Sequence, residues 1–140
     1  MSGINPLLVY AITQIDVAFR DGIGNSKLLQ GTGFFLRSEA GTPIFVTNRH
    51  NLDPSLKLSS DYSLVSARLL LRHYDGTKFT SATQFVDVDL SATQIIHSAH
   101  ADVSALVAPS FIARPPEYQF IRSTGRGTLQ IRCFLRPRYL

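Results

Sequence analysis

An all-β domain is what this sequence predicts, on three observations. Short apolar runs alternate at the strand period of two and are separated by clusters of Gly, Pro, Asn, Asp and Ser. Nine Gly and seven Pro are scattered along the chain, and the aromatic residues are Phe and Tyr with no Trp. No stretch carries a convincing amphipathic helical pattern. With 140 residues, 44% of them hydrophobic, the chain has the size and apolar content of one domain.

The elements follow in order. Leu7 to Phe19 is apolar, and Ile15, Val17 and Phe19 share one face, which predicts a first strand in its second half. Asp21-Gly22-Ile23-Gly24-Asn25-Ser26 is a turn, and Leu28 to Arg37 resumes as a strand containing Gly31 and Gly33. Those two glycines read as a bulge or a close backbone approach. Gly41-Thr42-Pro43 turns the chain into Ile44-Phe45-Val46-Thr47, a fully apolar strand leading to His50. Asn51 to Asp61 reads as a loop.

Ser66 to Tyr74 places Ala67, Leu69 and Leu71 opposite Arg68, Leu70 and Arg72, a strand with one wet face. Asp75-Gly76 is a hairpin signal. Phe79 to Leu90, Ile95-Ile96 and Val103 to Val107 complete six or seven strands with short connections, the pattern of a small antiparallel barrel or sandwich. Ser81-Ala82-Thr83-Gln84 recurs as Ser91-Ala92-Thr93-Gln94, too short a match to mark a repeat architecture.

The net charge of +4 is unevenly placed. Residues 1–113 hold eight Lys or Arg against nine Asp or Glu, whereas residues 114–140 hold six Arg against one Glu. That change divides the chain into a 1–113 domain and a basic, irregular 114–140 tail, in which Pro115-Pro116, Gly125 and Gly127 accompany a loss of hydrophobic period. Such a switch is what an interrupted or out-of-frame reading of a longer gene produces. The alternative is an authentic tail for an acidic partner or nucleic acid. The single Cys133 cannot form an intramolecular bridge, which points to a reducing compartment. Met1 to Leu8 lacks a secretory pattern and no apolar run approaches the ~20 residues of a membrane span, so a cytoplasmic protein without a membrane partner is expected.

The chemistry concentrates in two segments, Thr47-Asn48-Arg49-His50 and His100-Ala101-Asp102-Val103-Ser104-Ala105-Leu106. A histidine that takes a proton from a nucleophile needs a fixed tautomer, and a buried carboxylate on its other ring nitrogen fixes it. Asp87 and Asp89 compete for the acid's place but sit on a strand with a wet face, where solvation is expected. Together with Gly31-Thr32-Gly33-Phe34-Phe35-Leu36 upstream, these segments resemble the first half of a trypsin-like serine peptidase over residues 28–110. The resemblance implies a six-stranded antiparallel barrel, the first of two, with His50 as general base and Asp102 as its orienting acid.

The family places its serine, within Gly-x-Ser-Gly, and its oxyanion donors on a second barrel. Only 38 residues follow Asp102, too few for another six strands of ~5 residues with turns, and no Gly-x-Ser-Gly occurs. Ser123, in Arg122-Ser123-Thr124-Gly125, and Cys133, after Arg132, lack the required context. The nucleophile is therefore absent, and the chain is expected to be inactive alone. Its expected partner is a protein or peptide substrate, once a second barrel completes the site. A noncatalytic interaction module with a protein partner is the alternative. Nucleic-acid binding is the weaker one, because it rests on the tail alone and the folded part carries no recognisable module. No cofactor is expected. A zinc site built from His97 and His100 with His50 or His73 conflicts with strand geometry, since an i, i+3 pair does not share a face, and no thiolate cluster supports it.

Overall fold

The computed structural model describes residues 12–59 and 61–119. They form one antiparallel sheet of β1 (Ile12–Arg20), β2 (Ser26–Arg37), β3 (Pro43–Thr47), β4 (Ser63–Tyr74), β5 (Phe79–Asp87), β6 (Gln94–His97), β7 (Ser104–Val107) and β8 (Tyr118–Gln119). The strand order is β5-β4-β1-β2-β3-β7-β6, with β8 paired to β4. Helical structure is confined to single 3-10 turns at Arg49–Asn51, Pro54–Leu56 and Leu90–Ala92. Among the described residues no helix is long and apolar enough to cross a membrane.

The period-two pattern sets the inner face. Ile15, Val17 and Phe19 of β1, Phe35 of β2, Phe45 of β3, Ala67, Leu69 and Leu71 of β4, Val86 of β5 and Leu106 of β7 form the buried core. Phe35 and Phe45 are register partners whose rings meet at 4.9 Å and 56°, within the favourable range for tilted aromatic pairs. Gly33 lies beside them, and a Cβ there would come within 3.0 Å of the Val46 carbonyl oxygen and the Phe45 ring. The close approach read from the Gly31-Thr32-Gly33 segment is therefore real, and it comes without a break in the β2–β3 register.

The two ends of the sheet, β5 and β6, are consecutive along the chain. Where β5 ends, Val88 bridges to Phe111, Asp89 N–H donates to the Ser110 carbonyl at 2.7 Å, and Ile112 N–H donates to the Asp87 carbonyl at 2.9 Å. These bonds tie the end of β5 to the segment after β7. No ladder runs from β5 to β6, so the sheet is not closed into a barrel.

Two segments differ from the sequence expectation. The loop expected from Asn51 contains a buried start, with Asn51 and Leu52 inside and two 3-10 turns around them. The chain past Arg114 is not wholly irregular: Pro115 and Pro116 turn it back, and β8 docks on β4 through Arg72↔Gln119 and His73↔Tyr118. Two prolines lack N–H donors and suit the turn rather than a ladder, while β4 runs on past its β1 pairing and takes β8 on that edge, where Tyr74 N–H also donates to the Glu117 carbonyl at 2.7 Å. Arg114 also donates to the Tyr118 carbonyl at 2.7 Å. The domain seen here thus extends at least to Gln119, while residues 120–140, including Ser123 and Cys133, lie outside the described residues. The two Ser-Ala-Thr-Gln copies adopt different structures, one on β5 and the other spanning a 3-10 turn and the start of β6.

On the outer face, cross-strand partners align an apolar row, Ile12↔Phe34↔Val46↔Ala105↔Ile96, across five strands. Ile12 and Ile96 at its two ends are 60% and 48% exposed. The outer face of β1, β4 and β5 carries also the charged row Asp16↔Arg68↔Asp87.

Candidate active site

His50 sits in the 3-10 turn that follows β3, and Asp102 ends the loop between β6 and β7. Since β3 and β7 are neighbours with Thr47↔Ser104 as a register pair, the ends of these two strands bring residues 52 positions apart together. His50 Nδ1 and Asp102 Oδ2 are 2.6 Å apart, and the His50 backbone N–H donates to Asp102 Oδ1 at 2.9 Å. One carboxylate thus holds both the ring and the backbone of the same residue.

The Asp102 carboxyl is held below the ordinary carboxylate range, chiefly by the His50 N–H, with the imidazole and the Arg49 N–H adding to it. An ionised Asp102 accepts only, which assigns a proton to Nδ1 and, in the neutral imidazole, leaves Nε2 as the acceptor. Nε2 has no hydrogen-bond partner among the described residues. The pair is open to solvent, with 27% of the His50 side chain and 47% of the Asp102 side chain exposed. The carboxylate expected to be buried is half exposed, because it lies at the tip of a hairpin loop.

Residues to which the sequence assigns no role lock the two loops together. Asn48 Nδ2 donates to the Asp102 carbonyl at 3.2 Å, which explains why Asn48 does not cap its own turn with its side chain. The Arg49 guanidinium grips Asp53 at 2.8–2.9 Å and donates through Nη1 to the Ser98 carbonyl at 2.9 Å. Ser98 Oγ in turn accepts from the N–H groups of His100 and Ala101, both at 3.2 Å, and so shapes the loop that presents Asp102. Below the turn lie three buried polar residues, Thr47, Asn51 and Ser104. Thr47 Oγ1 donates to the Thr32 carbonyl at 2.8 Å and accepts from Asn51 Nδ2 at 2.9 Å. A Cβ on Gly31 would occupy the space of the Asn51 amide. The only sequence signal for this arrangement was the density of Asn, Arg and Thr around His50.

The other candidates are engaged elsewhere. Asp89 accepts from Ser91 N–H and Oγ–H and caps a 3-10 turn, while Asp87 is exposed in the register row opposite Arg68. His97 Nδ1 lies 2.5 Å from Ser104 Oγ, and His73 Nδ1 lies 3.1 Å from Thr80 Oγ1. Ser104 is 1% exposed, so its hydroxyl is beyond the reach of a substrate. Among the described residues no three His, Cys, Asp or Glu side chains gather as metal ligands. The chain matches no protein-family model, no curated protein and no solved structure.

The arrangement can do one piece of chemistry. An imidazole whose Nδ1–H is fixed by a carboxylate presents Nε2 as a base toward solvent, and the carboxylate stabilises the imidazolium after proton uptake.

Proposed function

We propose that this chain is the first barrel of a trypsin-like serine peptidase, with His50 as general base and Asp102 as its orienting acid, and that it is inactive until a second polypeptide unit supplies the serine and oxyanion donors. The observation that carries the reading is the double engagement of His50 by Asp102, at 2.6 Å through the ring and 2.9 Å through the backbone. In the complete site, the serine hydroxyl would attack the scissile carbonyl while His50 Nε2 takes its proton. The imidazolium would then return that proton to the leaving amine.

The topology supports the same reading. Taking β5 and β6 as the two halves of one bent strand, the order β5-β4-β1-β2-β3-β7-β6 becomes a ring of six, with the bonds at Val88, Asp89 and Ile112 at its bend. The test is to translate the coding locus beyond codon 114 in every frame, to express any extension that carries Gly-x-Ser-Gly, and to measure hydrolysis of a fluorogenic casein. Turnover abolished by His50→Ala and by Asp102→Ala is expected. Absence of such an extension, or turnover that survives His50→Ala, overturns the reading.

One observation favours a second reading, a noncatalytic protein-interaction module. The outer row Ile12–Phe34–Val46–Ala105–Ile96 crosses five strands without a charged residue, with Val46 buried at its centre and Ile12 and Ile96 exposed at its ends, an apolar surface a partner could cover. This reading requires partner binding to be unchanged in His50→Ala. Nucleic-acid binding has weaker support, because residues 12–119 hold nine Lys or Arg against ten Asp or Glu and the basic excess lies beyond them.

A further inference from the structure

We infer that Asn51, acting with Thr47 and Gly31, is the positioning device that holds His50 on Asp102. The inference takes its catalytic meaning from the reading above, but its geometry and its test do not depend on that reading. An ion pair or charge-assisted bond as exposed as His50–Asp102 is too weak in water to organise two loops by itself. Something more buried has to fix the turn first.

The buried element is a directional relay of hydrogen bonds. The Asn51 amide donates to Thr47 Oγ1 at 2.9 Å, and Thr47 Oγ1 donates to the Thr32 carbonyl at 2.8 Å. Asn51 and Thr47 are only 4% and 5% exposed, so water does not replace either bond without opening the strand ends. The relay crosses from the His50 turn through β3 to β2. It also needs space, because the three terminal atoms of Asn51 all lie within 3.0 Å of where a Cβ on residue 31 would stand. Glycine at 31 is therefore the complement of asparagine at 51.

The turn is pinned on both sides of His50. Asn51 is fixed to β2 and β3 on one side, and Arg49 is fixed to Asp53 and the Ser98 carbonyl on the other. In a one-turn segment with both neighbours held, the His50 ring has little freedom apart from its own χ angles. The sheet then sets where the His50 backbone N–H meets Asp102 Oδ1, and that contact keeps the carboxylate within reach of the ring. Asn51 and Thr47 touch no reacting atom and are positioning residues.

The experiment is NMR of the full chain labelled with 15N-histidine, reading the exchange of the His50 Nδ1 proton with water. Three variants are compared: Asn51→Ala, Thr47→Val and Thr47→Ser. Thr47→Val keeps the shape and removes the hydroxyl, whereas Thr47→Ser keeps the hydroxyl and removes a methyl group. We expect Asn51→Ala, which removes one bond of the relay, to speed exchange at His50 about tenfold, and Thr47→Val, which removes both, to speed it at least as much, with Thr47→Ser within about twofold of the parent. His73, bonded to Thr80 on the β4–β5 hairpin away from the relay, serves as the internal control and stays unchanged. A packing role predicts the reverse order for the Thr47 pair, and that order overturns the inference, as does parent-like exchange in both Asn51→Ala and Thr47→Val. Should Thr47→Val fail to fold, Asn51→Ala cuts the same relay from its other end and decides alone. Rapid exchange at His50 in the parent chain would instead defeat the dyad reading itself, an outcome distinct from the others.

Discussion

Replacing Gly33 by alanine tests the packing that places β2 against β3 beneath the site. The added Cβ would fall within 3.0 Å of two kinds of neighbour, the Val46 carbonyl oxygen and the Phe45 ring. Neither yields easily. Val46 belongs to the Phe34↔Val46 register pair, and the Phe45 ring is fully buried at 4.9 Å from Phe35. Overpacking of this sort costs about 1–3 kcal/mol. Loss of glycine's freedom in the unfolded chain returns roughly 0.4–1 kcal/mol. A net destabilisation of about 1–2 kcal/mol follows, or a fall in Tm on the order of 3–9 °C for a domain of this size. Urea denaturation of Gly33→Ala, Phe45→Leu and the double variant separates the two obstacles. Because Phe45→Leu removes the ring from the path of the new methyl, the double variant should be more stable than the sum of the single effects, by about 0.5–2 kcal/mol. A neutral or stabilising Gly33→Ala, or strict additivity with Phe45→Leu, would refute the close-approach argument.

Other perturbations read other parts of the molecule. Asp53 and Asp75 have carboxyl groups lowered to about 2, Asp53 first by the Ser55 hydroxyl with Arg49 adding to it, and Asp75 first by the Lys78 and Thr77 N–H groups. Since their folded values lie below the unfolded 3.8, their stabilisation is complete above about pH 4 and is lost as pH falls toward 2. The stability gap between the parent and Asp53→Ala should therefore narrow from pH 5 to pH 2 in urea titrations, and a constant gap would contradict the assignment. Arg49→Ala removes the contacts to Asp53 and to the Ser98 carbonyl, so we expect a loss of about 1–2 kcal/mol and faster amide exchange across residues 98–103. Arg49→Lys should recover less than half of that loss, because a single ammonium lacks the fork that grips both partners. On the outer row, Ile96→Lys should reduce binding of an apolar dye and shift size-exclusion profiles toward monomer, while changing stability by less than about 0.5 kcal/mol. A parent chain that is already a clean monomer and binds no dye would count against an unpartnered apolar face.

Much of the sheet was legible because its signal is local. Ile15, Val17 and Phe19, and again Ala67, Leu69 and Leu71, alternate with less buried neighbours, and all six are buried as the period of two requires. His50 and Asp102 were legible as chemistry for a related reason, since each stands at the end of an apolar strand. Asn51 was not. It stands in a stretch of Asn, Asp, Pro and Ser that reads as solvated loop, and its burial depends on Gly31, twenty positions earlier, leaving room for its amide. β8 was hidden because two residues carry no period, and their pairing depends on the β4 edge beyond β1.

The sequence by itself determined the strand-rich class and the inner face of the core, and it offered His50 and Asp102 as candidates, because hydropathy period and side-chain type are properties of neighbouring residues. Tertiary structure alone decided that His50 and Asp102 meet, that the carboxylate is half exposed rather than buried, and that the chain to Gln119 belongs to the sheet. These depend on which strands become neighbours and on how their ends curve. Register and hydrogen bonds between distant loops set that geometry, and neither leaves a local trace in the order of residues, whereas the close approach at Gly33 was marked by the glycine itself.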